Sequence, residues 1–577
     1  MVFVGTCLAI LAGIFGATTK EPTLLKRPEQ LPSAFSDSIL DTAHRVDEEF
    51  AQTWDEKKLT PAPLAPWHAI ARRVSLGMVG NGLSLEEYRL LEQLPESERI
   101  AWWTEYLLRD RRWADHFAER WARATVGTVA GPFLVFRRRK YTDWLADQFQ
   151  ENLPYDQLVK RLLTAKGSWT DSPEVNFYTV TLDENDPKKP DEIRLAGRTS
   201  RTFLAMRIDC LQCHNDYLGN VKFTDQAKLQ ESKITEPPDT TKLVARTGQQ
   251  SDFHQLAAYF GNVRMDNPFS GVKEESIAYR FKYLNADKET EVRPTVPFDR
   301  ALCNGEGTSR QALADWITHP KNRPFARATV NRVWAILFGK PLVIPIDDIP
   351  ATGPYPPGLE TLADDFIEHG YDLQRLVRVI IATRAFQIDS RWSDVAETSG
   401  DDPTIQGTSE GPSDRDHELA LAIFPLSQLR PEQMAASVHQ ACRLKTIDAS
   451  SSILSQLELF GGINDFTQAY GGRGDDEFAE QPVTVPQRLL MMNGKFLADR
   501  IDNNPIMNAA TRIAGLAKDD ATAVQTAFIS TLNRPASDDE QEHFRKRLEG
   551  KRGENRSREL GNLFWVLLNS SEFQWNH

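Results

Sequence analysis

Cysteine is scarce: 577 residues contain five, Cys7, Cys210, Cys213, Cys303 and Cys442. That excludes a scaffold built on disulfides. Positive charge is in deficit, with 68 Lys and Arg against 81 Asp and Glu and a net charge of −13. An acidic balance excludes general nucleic-acid binding, which needs cation density along the phosphates. G-x-S-x-G, H-E-x-x-H, the phosphate-binding glycine loop and the Rossmann fingerprint are all missing. No internal repeat of fixed period is present. What the chain has in quantity is apolar material, 40% of residues, with 13 Trp and 29 Phe. That excludes a disordered or collagen-like chain. At roughly 150 residues per domain the length allows three or four domains, or two large ones.

The first residues stand apart. Val2 to Ala17 is an almost unbroken apolar and small-residue run. It is short of the roughly 20 residues a membrane span needs, and fits the core of a secretory signal followed by small residues. No Lys or Arg precedes it. The expectation is export, to the periplasm or cell envelope, with residues 1–19 a signal peptide or N-terminal anchor. Membrane contact is expected only through this segment, if it stays uncleaved. Residues 20–66 read as an extended tether with one helix over 36–55.

From Trp67 onward the pattern is helical. Ser84-Leu85-Glu86-Glu87 is a capping-box start. Apolar residues at three- and four-residue spacing predict helices over 100–108, 113–125, 140–150, 155–165, 193–210 and 252–260. A second helical block follows from Ser309, with helices over 311–318, 325–338, 358–369 and 372–383. A last set is predicted over 431–443, 485–500, 509–517, 521–532, 538–548 and 560–570. Residues 265–304 are mixed and leave room for a few strands. The expected fold class is mainly α, two helical domains with irregular loops and few short strands. The domains are placed at 67–275 and 300–577, the second with an exposed loop at 389–416.

One motif carries chemistry. Cys210-Leu211-Gln212-Cys213-His214 is a C-x-x-C-H sequence. In c-type cytochromes two such thiols add across the haem vinyl groups, and the adjacent histidine binds iron. A chance match at this chain's Cys and His frequencies is about one in a thousand. Cys210, Cys213 and His214 are therefore candidate ligands of a covalent haem c. A structural disulfide, a redox dithiol and half of a zinc site are the competing readings. Met206, His254 and Met265 are the nearby candidates for a sixth iron ligand.

The chain resembles the two-part PSCyt/PSD family, planctomycete proteins of unknown function associated with cytochrome c domains. Glu119–Arg123 (E-R-W-A-R), Asn152–Asp156 (N-L-P-Y-D), the C-L-Q-C-H sequence and Asp252–Phe260 resemble the first part. Leu313–Trp316, Asn331–Trp334, Phe338-Gly339, Asp347-Asp348, Asn493–Phe496 and Leu568–Phe573 resemble the second. The likeness covers roughly residues 65–577. Two departures matter. The family often continues after C-H with Asp-His, whereas Asn215-Asp216-Tyr217 follows here, and the 20–66 segment is too short for the separate cytochrome domain many members carry.

Asn331, Arg332, Trp334, Asp347 and Asp348 form a second candidate site, a polar pocket with Arg332 against Asp348 and Trp334 as a stacking face. A buried Arg–Asp network fixing two helices is the plainer reading. The functional expectation is an exported c-type haem protein with an electron-transfer or redox-linked role and a redox partner protein. The alternatives are a non-haem structural or binding protein of the cell envelope with a Cys210–Cys213 disulfide, and a carbohydrate-processing hydrolase. The sequence assigns no reaction, so whether the chain is an enzyme stays open.

Overall fold

The computed structural model describes residues 31–577 apart from 129–130, 133, 226–244, 266–270, 306, 392–412, 449–450, 472–477, 479–482 and 505–507. The signal-like segment and most of the 389–416 loop lie outside the described residues. The chain is mainly α, and the described residues hold four two-stranded antiparallel ladders. No described helix is long and apolar enough to cross a membrane.

The first set of helices is α1 (Asp37–Lys57), α2 (Trp67–Met78), α3 (Leu85–Glu92), α4 (Glu96–Arg109), α5 (Arg111–Val126), α6 (Arg138–Gln150), α7 (Tyr155–Leu163), α8 (Asn176–Thr179), α9 (Glu192–Leu204) and α10 (Gln250–Ala257). Beyond residue 300 come α11 (Ser309–Ile317), α12 (Arg323–Phe338), α13 (Leu359–Glu368), α14 (Leu373–Ala382), α15 (Arg384–Gln387) and α16 (Asp414–Leu419). Apart from α16, these share one continuous apolar core of residues between Ile39 and Phe424, joined by Phe478. It is dominated by aromatics: Trp102, Trp103, Trp113, Trp121, Trp316 and Trp334 are all fully buried. Each such ring removes roughly 150–250 Å² from water, the largest single contributions available to a core.

Helix α12 is the centre of this lobe. All fourteen residues from Phe325 to Phe338 are buried, so the helix is enclosed on every side rather than half exposed like an amphipathic surface helix. The predicted tether is not separate from this core. Val46, Phe50 and Trp54 of α1 are buried in it, and Trp54 donates to the Ala420 carbonyl at 2.9 Å.

The second core gathers α17 (Pro431–Ala441), α18 (Ile453–Tyr470), α19 (Val485–Asn493), α20 (Lys495–Ile501), α21 (Ala509–Leu516), α22 (Asp520–Leu532), α23 (Asp538–Leu548), α24 (Gly553–Asn569) and α25 (Ser571–Gln574). Its one member from the N-terminal half is Leu76 of α2. The packing therefore divides near residue 425 rather than near 300.

Two buried arginines of α2 join the lobes. Arg72 donates to the Thr531 and Phe573 carbonyls of the second, at 3.4 and 2.9 Å. Arg73 donates to Phe386 and Ile388 of the first, at 2.9 and 2.6 Å, and its guanidinium lies 3.8 Å from the Phe424 ring centroid.

Residues on both sides of 392–412 meet in the same core. Phe386 and Phe424 are in edge-to-face contact at 5.7 Å, and the Phe424 amide donates to the Asp389 carbonyl at 3.0 Å. A protease cut between Arg391 and Ser413 is therefore expected to leave the two pieces together. Native size-exclusion after limited proteolysis checks this; two separate peaks without denaturant would contradict it.

Candidate functional site

Helix α9 delivers the chain to the C-x-x-C-H sequence but ends earlier than its pattern suggests. Ala205 takes a left-handed conformation (φ 48°) and closes it, and its amide donates back to the Ser200 carbonyl. Asp209 to Gln212 then form one 3₁₀ turn. Leu211 is its anchor, fully buried in the first core. The side chains on either side point the other way: Cys210 and Cys213 are both exposed free thiols.

Helix α10 holds this turn from behind. The Gln212 carbonyl accepts from His254 Nε2 at 2.9 Å and from the Gln250 amide at 3.1 Å. His254 Nδ1 meets the Tyr279 hydroxyl at 2.9 Å, and the ring stacks on Phe281. Burial lowers its pKa, so it is neutral at pH 7, with the proton on Nε2 where the carbonyl requires it. Asp252 of the same helix grips Arg246 at 2.7 Å through both carboxylate oxygens. Glycines give the turn room: a Cβ at Gly248 would lie 2.7 Å from Leu211, and one at Gly197 2.5 Å from Asp209.

His214 is exposed, with its Nδ1 2.7 Å from the Asn215 carbonyl. Only a protonated Nδ1 can donate there, so the neutral ring presents Nε2 as a bare acceptor. Tyr217, 74% exposed, lies with its ring nearly parallel to His214 at 6.1 Å, and Leu218 beside it is 85% exposed. Asp216, where the family often has a histidine two residues on, accepts from the Leu218, Gly219 and Val221 amides. It fixes the loop rather than facing a ligand. Burial, then Asp216 and Asp209, push the Cys210 thiol up, so it is protonated at neutral pH.

The candidate sixth ligands are engaged or enclosed. His254 has both nitrogens engaged, and Met206 and Met265 are buried in the first core. No group of three or more His, Cys, Asp or Glu side chains among the described residues could hold a metal ion.

The second candidate site does not come together as one pocket. Asn331 is fully buried and clamps a loop, donating to the Val343 carbonyl and accepting from its amide, both at 3.0 Å. Trp334 stacks on Phe338 at 4.1 Å and is 1% exposed, a core side chain. Arg332 is buried on the same helix. Asp347 pairs with Arg207 at 2.6 Å, and Asp348 sits beside the same arginine. Burial and the charge of Asp347 raise the Asp348 pKa against the pull of Arg207. The ion pair expected between Arg332 and an acid is thus made by Arg207, which no helix pattern marks out. Its position three residues before Cys210 was the available signal. Next to it, the Ile349 amide donates to the Ala205 carbonyl at 2.8 Å.

This contact joins two segments that comparison recognises separately. The profile PSCyt2, "Protein of unknown function (DUF1549)", matches residues 45–232. The profile PSD1, "Protein of unknown function (DUF1553)", matches residues 309–548. The chain belongs to the two-part PSCyt/PSD family. No curated protein and no solved structure matches it. In the PSCyt part, the E-R-W-A-R segment is a joint. Glu119 binds Arg138 at 2.7 Å, while Arg120 and Arg123 reach Glu432 of the PSD part at 2.7 and 3.6 Å. The family's two parts are not two independent bodies. The PSD part begins inside the first core with α11 and continues into the second core from α17.

Proposed function

We propose that the chain carries a covalent haem on Cys210 and Cys213, with His214 as iron ligand, and serves electron transfer or a redox-linked step outside the cytoplasm. The observation that carries this is the state of the three side chains. Two free thiols and one imidazole with an unprotonated Nε2 stand exposed on a turn whose backbone is held by the Gln212 carbonyl and the buried Leu211. Those donors fit what haem c requires. When bound, haem would supply one-electron chemistry. The chain's part is to fix the turn and to set the histidine tautomer. Met206, Met265 and His254 do not supply a sixth ligand in this packing, so an open or externally supplied position goes with the reading.

The test is haem-stained denaturing electrophoresis after expression with a cytochrome maturation system. The wild type is expected to stain, and the Cys210→Ala, Cys213→Ala double variant to lose the stain completely. His214→Ala is expected to alter the iron spectrum even where thioether bonds form. An unstained wild-type band overturns the proposal. In that case a mass two hydrogens below that of the reduced chain would point to the Cys210–Cys213 disulfide instead.

A further inference from the structure

Helix α7 buries Tyr155, Leu158, Val159, Leu162 and Leu163, one face at helical spacing. That leaves Asp156 and Lys160, four residues apart, on a different face. Helix α11 packs against it and buries Leu313, Ala314, Trp316 and Ile317, which leaves Asp315 outward. Between these faces opens a cleft of about 390 Å³, which Asn304, His319 and Tyr371 also line. The volume is in the range of small-molecule sites. One wall belongs to the PSCyt part and the other to the PSD part. The cleft also takes one residue from each of two motifs that the haem reading leaves unused, Asp156 from Asn152–Asp156 and Asp315 from Leu313–Trp316.

Its polar groups are set in complementary roles. Lys160 and Asp315 pair at 3.1 Å, each about half exposed. His319 Nδ1 accepts the Lys321 amide at 3.1 Å, so the proton stands on Nε2 and that nitrogen is a donor. Burial and the charges of Lys321 and Lys160 lower its pKa and keep the ring neutral. The Tyr371 hydroxyl donates to the Thr318 carbonyl at 3.2 Å, which leaves its oxygen as an acceptor. Burial raises the Asp156 pKa against the attraction of Lys160. The charged groups Asp156, Asp315 and Lys160 sum to one negative charge. That balance disfavours an anion, and the mixture of donors and acceptors exceeds what a simple cation would use.

We infer that this cleft binds a neutral polyhydroxylated ligand, a saccharide of one or two rings, through Asp156, Lys160, Asp315 and the His319 Nε2–H. Carboxylates accept from paired hydroxyls, and lysine and imidazole donors meet their oxygens. The site is independent of Cys210, Cys213 and His214, so its test does not depend on haem.

The experiment is isothermal titration calorimetry of the full chain with maltose, cellobiose and diacetylchitobiose. Glucose 6-phosphate and spermidine serve as anionic and cationic comparisons. At least one neutral disaccharide is expected to bind, more tightly than either charged probe. Asp156→Asn and Lys160→Gln are each expected to weaken it at least tenfold with an unchanged melting temperature. Both positions are partly exposed, so folding is expected to survive. No binding by any neutral sugar, tighter binding by a charged probe, or affinity untouched by both variants would overturn the inference.

Discussion

Glu432→Gln is expected to destabilise the chain by about 3–5 kcal/mol, the usual loss when one member of a buried ion network is removed. Glu432 is 15% exposed and stands among three arginines: Arg120 at 2.7 Å, Arg430 at 3.4 Å and Arg123 at 3.6 Å. Arg120 is fully buried. Despite burial, the three guanidinium groups hold the Glu432 carboxyl far below the usual carboxylate range. The glutamine side chain keeps the shape but not the charge, so excess positive charge stays inside the joint between the lobes. Urea unfolding followed by circular dichroism measures the change. A loss under 1 kcal/mol would mean that the network contributes little. The partly exposed Glu119, whose side chain is 37% accessible, gives a weaker comparison: Glu119→Gln is expected to cost about 1 kcal/mol.

Acidification from pH 7 to pH 5 is expected to lower the stability of the chain, with His439 as the group of largest stated shift. Burial, then Arg500 and Arg443, lower the His439 pKa to about 3. Burial, then Arg120 and Arg430, lower that of His116 well below the ordinary value. In the unfolded chain both titrate near 6.5, so below that pH the unfolded state takes up protons that the native state refuses. The stabilisation is present above about pH 6.5 and fades as pH falls towards the folded values. At pH 5 His439 contributes a loss of about 2 kcal/mol, and His116 acts in the same direction. Asp47 acts in the opposite sense. Burial raises its pKa to about 6, so the native state binds its proton first and regains about 1 kcal/mol. Melting temperature against pH checks the sum, and the acid slope should become shallower in His439→Gln. A melting temperature that is flat from pH 7 to 5 would refute the argument.

The joint and the histidines belong to one physical theme. Several of the buried arginines of this molecule sit where the lobes meet, and the aromatic cores on either side exclude water from them. Arg72 and Arg73 satisfy backbone carbonyls there, and Arg120, Arg123 and Arg430 share one acid. The family motif Glu119–Arg123 is explained by this packing and needs no catalytic role.

Local chemistry was legible wherever a few neighbouring residues decide the outcome. The Ser84 capping box forms as read, with Glu87 amide to Ser84 Oγ at 3.1 Å and the reciprocal bond at 2.8 Å. Most helices begin and end within a few residues of their apolar pattern, because burying one stripe of side chains requires that spacing. Two exceptions show the limit. Residues 485–500 form two helices, since the chain turns at Gly494. Helix α18 carries little periodic signal and two adjacent glycines; at Gly462 a side chain would overlap the His439 ring. That glycine is required by a neighbour from another helix, which no local pattern reveals.

The sequence by itself determined the helical class, the membership in a two-part family, and the position of the one C-x-x-C-H turn. Each follows from spacing along the chain. Only the tertiary structure decided which acid meets which arginine, that Arg207 rather than Arg332 faces Asp347, and that Trp334 is core. It also decided that the apolar packing divides near 425, and that Asp156 and Asp315 share a cleft. The Arg207–Asp347 pair and the Asp156–Asp315 cleft join residues more than a hundred positions apart. Their geometry is set by how helices from both halves bury their apolar faces, and not by any neighbour in sequence.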